Sequence, residues 1–143
     1  MVFYVVLGKR NASFKKQFSR FKNIQIFDFL SSSDLSKVYN HSDIALTRGS
    51  ATTLQELDLF GIKKIIVPLP FTGGNHQEAN AKRYQRHRGD IFLRQKASLS
   101  TKLAKELSVL AMYKKTPTRP QKKAFFQPHA AIFQTLLEVS TVS

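Results

Sequence analysis

The chain has 143 residues, 42% of them hydrophobic and including 12 Phe and 4 Tyr. That bounds it to one domain with enough apolar side chain to close a core, and it excludes wholesale disorder, since a domain of about 150 residues buries about 70% of its unfolded surface. With no cysteine, disulfide frameworks, thiolate zinc sites and thiol nucleophiles are excluded, in keeping with a reducing compartment; 23 Lys and Arg against 9 Asp and Glu leave a formal net charge of +14, which calls for an anionic partner.

Short apolar runs alternate with helical patterns along the chain. Val2–Leu7, Ile24–Phe29, Asp43–Thr47, Lys64–Leu69 and Asp90–Leu93 read as strands, and Ser13–Phe21, Ser33–Asn40, Thr52–Phe60 and Gln77–His87 read as the helices between them. A repeated strand–helix pattern with continuous Val/Ile/Leu strands predicts an α/β fold, an open parallel sheet covered by helices on both faces. Leu99, Leu103, Leu107 and Leu110 then mark one stripe of an amphipathic helix over Ser98–Tyr113. Lys114–Lys123 carries Lys114, Lys115, Arg119, Lys122 and Lys123 with Pro117 and Pro120, which reads as an exposed connector. A last helix is predicted from Pro128 to Val139. The expected domain plan is a binding domain over 1–113, a basic proline-containing linker over 114–127, and a C-terminal helix and tail over 128–143. The first strand follows Met1 directly, so no earlier strand–helix unit flanks it.

The longest apolar runs, Phe3–Leu7 and Ile65–Leu69, fall far short of the roughly 20 residues of a spanning helix. The N-terminus also lacks a signal-peptide layout. The expectation is a soluble or peripheral protein.

The segment Asp43–Asn80 is the richest in chemistry. Its two loops follow consecutive strands and so share the carboxyl edge of the sheet, where open α/β folds bind ligands. In the first, Thr47-Arg48-Gly49-Ser50-Ala51-Thr52-Thr53, Gly49 permits close backbone approach and the following helix N-terminus favours an anion such as phosphate. The other reading is a tight turn with hydroxyl caps. Glu56 has two readings as well: it could accept both hydroxyls of a ribose, or complete a capping box over Thr53-Leu54-Gln55-Glu56. The second loop, Pro68–Gln77, combines Pro68 and Pro70 with Gly73 and Gly74 and ends in a helix opened by His76, Gln77 and Asn80. Amides and an imidazole there suit a polar, uncharged ligand such as a sugar. No metal site is read, because His41, His76, His87 and His129 lack paired ligand spacing, and no cofactor is expected. There is no nucleophile elbow.

Basic residues gather in Lys9–Lys22, in Lys82–Lys96 and in the linker. Phe14, Phe18 and Phe21 interleave the first cluster. That mixture suits nucleic acid, while the same spacing suits a buried helix face.

Taken together, Thr47-Arg48-Gly49-Ser50-Ala51-Thr52-Thr53-Leu54-Gln55-Glu56, Ile65-Ile66-Val67-Pro68-Leu69-Pro70 and Gly74-Asn75-His76-Gln77 with Asn80-Ala81 resemble the nucleotide-sugar-binding half of the MurG-like glycosyltransferases (family 28, GT-B fold). The resemblance spans roughly residues 2–110. It implies a Rossmann-like C-terminal donor domain lacking its first strand–helix unit. By position it implies that Arg48, Gly49, Ser50, Ala51, Thr52 and Thr53 line the loop against the nucleotide diphosphate and sugar, that Glu56 holds the ribose, and that His76, Gln77 and Asn80 meet the sugar. Phe29 and Leu30 correspond to the segment that packs on the uracil.

The resemblance further implies UDP-N-acetylglucosamine as donor, no metal, and an inverting transfer to undecaprenyl-diphospho-muramoyl-pentapeptide in peptidoglycan synthesis. The general base and the acceptor site lie on an N-terminal domain for which this chain has no room, so no catalytic residue is assigned here. The expected setting is cytoplasmic, peripheral at the inner face of the cell membrane, with a separate acceptor-binding partner and an anionic membrane surface. The alternatives are a non-catalytic RNA- or polyanion-binding α/β module and a truncated inactive fragment.

Overall fold

In the computed structural model, residues 2–70, 75–112 and 123–126 are described. The strands are β1 (Val2–Val6), β2 (Ile24–Phe27), β3 (Ile44–Thr47), β4 (Lys63–Ile66), β5 (Ile91–Phe92) and β6 (Lys123–Phe126). The helices are α1 (Lys15–Phe18), entered through a 3-10 turn at Lys9–Phe14, then α2 (Ser32–Asn40), α3 (Ala51–Leu59), α4 (His76–Arg88) and α5 (Leu99–Met112). The predicted α/β class and parallel sheet hold: every strand pair is parallel, in the order β2-β1-β6-β3-β4-β5.

β6 corrects the sequence reading. Residues 123–126 stood at the end of the predicted connector, yet they form an interior strand. Val2–Val5 of β1 align with Lys123–Phe126 on one side, and Ile44–Leu46 of β3 align with Ala124–Phe126 on the other. The charges and prolines of 114–122 set the character of that stretch in sequence, and Ala124-Phe125-Phe126 is too short to show a period. What makes it a strand is a gap between two hydrogen-bonding edges, which only the assembled sheet contains. β1 is interior after all, flanked by β2 and by the chain's own late strand. The remainder of the predicted connector (114–122 and 127) and the helix predicted over Pro128–Val139 lie outside the described residues.

Alternation of side chains along the strands builds two cores. Val5, Leu7, Ile44, Leu46, Ile65 and Val67 point to one face and pack with Phe18 of α1 and with Leu99, Leu103 and Leu107 of α5. Phe14 and Phe21 pack against this same cluster, so the interleaved phenylalanines are core residues. On the other face Tyr4 and Ala45 meet Val38 and Tyr39 of α2 and Leu57 of α3, while Ile66 meets Leu54 of α3 and Ala81 of α4.

Beneath α3, Lys64 is 2% exposed. Its Nζ lies 2.6 Å from Asp58 Oδ1 and 3.2 Å from Asp90 Oδ2. Its backbone N–H donates to Asp90 Oδ1 at 2.9 Å. A charge buried this deeply needs paired partners, and the pair ties the start of β4 to the end of α3 and the entry of β5.

Candidate functional site

Because the strands are parallel, β3 and β4 deliver their following loops to one edge of the sheet. In the first loop, Gly49 is buried with φ +94°, a conformation L side chains rarely adopt. A Cβ there would stand 2.7 Å from Cγ2 of Ile66. The glycine is therefore required by backbone angle and by the close passage of β4.

Ser50 settles the role of Glu56 in the cap. It N-caps α3: its Oγ accepts from the Thr53 N–H at 3.4 Å and donates to Thr53 Oγ1 at 2.8 Å. Thr53 thus lies inside the helix, and the capping box over Thr53–Glu56 is overturned. The Glu56 carboxylate turns toward α2, where Oε2 accepts from the Tyr39 hydroxyl at 3.5 Å. Burial first, and then the neighbouring Glu56 charge, push the Tyr39 hydroxyl above its ordinary value. Sequence reasoning gave Tyr39 no part in the site, since its contact with Glu56 arises from two helices packed on the same sheet face.

One hydrogen bond closes the second loop and another ties α4 to the first. Leu69 N–H donates to Gln77 Oε1 at 3.2 Å, and the Asn80 Nδ2 group donates to the Gly49 carbonyl at 3.2 Å. Two of the amides read as sugar contacts thus hold the loops to α4. Residues 71–74, including Gly73 and Gly74, lie outside the described residues. Asn75 takes the left-handed conformation at φ 52° and makes no side-chain cap bond to α4. Donors at the start of α4 are therefore not consumed by a cap from Asn75. His76 at that start is exposed, as are Ala51 and Thr52 at the start of α3, while Arg48 and Thr53 are half-buried.

Phe29 and Leu30 follow β2. Phe29 is 75% exposed, an unusual setting for so large an apolar ring, while Leu30 packs on the cluster that holds Tyr39 and Leu57. The structure joins Asn80 to Gly49 and brings Gln77 beside that glycine, while Glu56 meets Tyr39 and Leu30 packs on the cluster that holds Tyr39. Among the described residues, no three His, Asp or Glu groups are placed to hold a metal ion, and no helix is long and apolar enough to cross a membrane.

Among curated proteins, the chain is 33% identical over 98 residues to a UDP-N-acetylglucosamine--N-acetylmuramyl-(pentapeptide) pyrophosphoryl-undecaprenol N-acetylglucosamine transferase of Aquifex aeolicus, covering 65% of this chain and 28% of that protein. Proteins of the same name are 34% identical over 104 residues in Bdellovibrio bacteriovorus (70% of this chain, 28% of the relative) and 38% identical over 77 residues in Psychrobacter cryohalolentis (54% and 21%). The matched stretch is thus under a third of each relative's length. No solved structure matches. Residues 2–136 match the glycosyltransferase family 28 C-terminal domain, and the chain belongs to that family.

Proposed function

We propose that this chain is the donor-binding part of an inverting hexosyltransferase and that its donor is UDP-N-acetylglucosamine. The observation that carries the reading is the freedom of Glu56 from the helix cap. Ser50 takes over the capping, so a carboxylate stands one turn inside α3 at the ligand-binding edge of a parallel sheet. A carboxylate in that place can accept two hydrogen bonds from the vicinal hydroxyls of a ribose. Phe29 and Leu30 supply the apolar surface for the base. The α3 N-terminus, with Ala51 and Thr52, faces the diphosphate, where its N–H groups stabilise the charge that grows as UDP leaves. His76 and the Gln77 amide donors meet the sugar hydroxyls, and Arg48 flanks the loop. Asn80 acts by positioning Gly49.

In the reaction, an acceptor 4-hydroxyl attacks C1 of the sugar. The new C–O bond forms as the C1–O bond to UDP breaks, and the hydroxyl proton passes to a base on a separate acceptor domain. The acceptor is lipid-linked, as the relatives' names describe for theirs, and the complex works at the cytoplasmic face of a membrane with the basic surface toward anionic lipid. The chain alone binds donor weakly and transfers nothing; turnover by the isolated chain overturns that statement.

Calorimetric titration of the purified, folded chain with UDP-N-acetylglucosamine tests the donor reading. Binding that Glu56→Ala abolishes is the expected result, and absence of binding by a folded chain overturns it. The RNA-binding alternative loses its aromatic support, because Phe14, Phe18 and Phe21 are committed to the core.

A further inference from the structure

Glu56 is a half-buried carboxylate in a chain of formal net charge +14, yet among the described residues it pairs with no cation. Asp28, Asp34, Asp58, Glu78 and Asp90, by contrast, each pair with Lys or Arg. Glu56 accepts instead from a phenol. The Tyr39 hydroxyl, 17 residues away on another helix, donates to Oε2 at 3.5 Å.

Packing fixes that phenol. Tyr39 is 3% exposed, its ring lies 5.3 Å from the Phe60 ring at an interplanar angle of 57°, and Val38, Leu57 and Ile62 belong to the same cluster. Burial and then Glu56 raise its hydroxyl above the ordinary value, so it stays a proton donor at neutral pH. A Glu side chain is among the costliest to order, and tethering one oxygen to a fixed group meets that cost before a ligand arrives. Lys or Arg in this place would orient the carboxylate but neutralise it and compete for its oxygens. A neutral phenol takes one lone pair of Oε2 and leaves Oε1 its full acceptor capacity. Satisfying a buried phenol calls only for some acceptor, and a backbone carbonyl serves as well. That need does not account for a half-buried charge without a counter-ion. Leu30, set against the base in the donor reading, packs on the same cluster.

We infer that Tyr39 is a positioning residue that sets Glu56 to read the ribose hydroxyls, so that the site selects ribonucleotide over 2′-deoxyribonucleotide sugar donors. On the donor reading above, on which this rests, Tyr39 acts through Glu56 and touches no ligand. A carboxylate held at Oε2 meets both vicinal hydroxyls in one geometry, and a 2′-deoxyribose leaves one of its acceptor positions without a partner.

NMR titration of the isotope-labelled parent chain, Tyr39→Phe and Glu56→Ala with UDP-N-acetylglucosamine and with its 2′-deoxyribose analogue tests this. The parent is expected to bind the ribose form about tenfold more tightly. Tyr39→Phe keeps the ring in the core; it is expected to lose about fivefold for the ribose form and almost nothing for the 2′-deoxy form, narrowing the preference to about twofold. No preference in the parent, equal weakening of both forms in Tyr39→Phe, or an undiminished preference there overturns the inference, while binding lost in Glu56→Ala keeps the donor reading. Absence of binding by the folded parent removes both together. Should Tyr39→Phe fail to fold, the Cζ resonance of Tyr39 in the parent decides. A larger shift at saturation with the ribose form than with the 2′-deoxy form upholds the tether, and equal shifts overturn it.

Discussion

The side-chain amide of Asn80 donates a hydrogen bond to the carbonyl of Gly49 at 3.2 Å. It joins the second turn of α4 to the loop after β3, two elements 31 residues apart, at a point where Gly49 alone satisfies the backbone angle. Removing this half-buried neutral bond costs about 1 kcal/mol. Asn80→Ala is therefore expected to weaken UDP-N-acetylglucosamine binding about fivefold by loosening the loop, with a small drop in thermal midpoint. Titration calorimetry and thermal unfolding check both, and unchanged affinity would show that the loop holds its shape without the latch.

Lys64 is expected to be among the most sensitive charged positions. Lys64→Met removes the cation between Asp58 and Asp90 and leaves Asp90, 4% exposed, without its ion-pair partner. Removal of one member of a buried pair costs about 3–5 kcal/mol. Urea unfolding of the variant against the parent chain measures this directly, and a loss below about 1 kcal/mol would contradict the pairing.

Tyr39 makes stability depend on alkaline pH. Burial and the Glu56 carboxylate raise its hydroxyl above the ordinary value in the folded chain, so the unfolded chain releases that proton first. The contribution is whole below about pH 10, the unperturbed tyrosine value, and declines as pH rises toward the folded value. Tyr39→Phe is expected to flatten this part of the decline. Denaturant midpoints of both chains at neutral pH and above pH 10 test it, and parallel curves would refute the linkage.

β6 joins the two halves of the sheet, since β1 and β3 each pair with it and not with one another. Ala124 aligns with Phe3 on one side and Ile44 on the other. Ala124→Pro deletes a ladder donor and clashes with the neighbouring strand geometry, and is expected to destabilise by about 3 kcal/mol or more. Hydrogen exchange should then show faster opening of the β1 and β3 amides. Protection equal to that of the parent chain would mean that β6 contributes little to the sheet.

The sequence by itself determined the fold class, five of the six strands among the described residues, a helix at each of α1 to α5, and the strands that the two site loops follow. It could do so because β1–β5 carry apolar runs, the helices carry their own periodicity, and glycine and proline mark the turns locally. Ser50 as a cap was legible in principle, but Thr53 three residues before Glu56 offered an equally good local pattern, and only the helix start separates them. The meeting of Tyr39 with Glu56, the latch from Asn80 to Gly49 and the buried Lys64 were decided by tertiary structure. So was β6, whose four residues are a strand because two open strand edges stood one strand apart. Each of these depends on contacts between residues distant in the chain, and no local pattern of polarity encodes which distant partner will fill a gap.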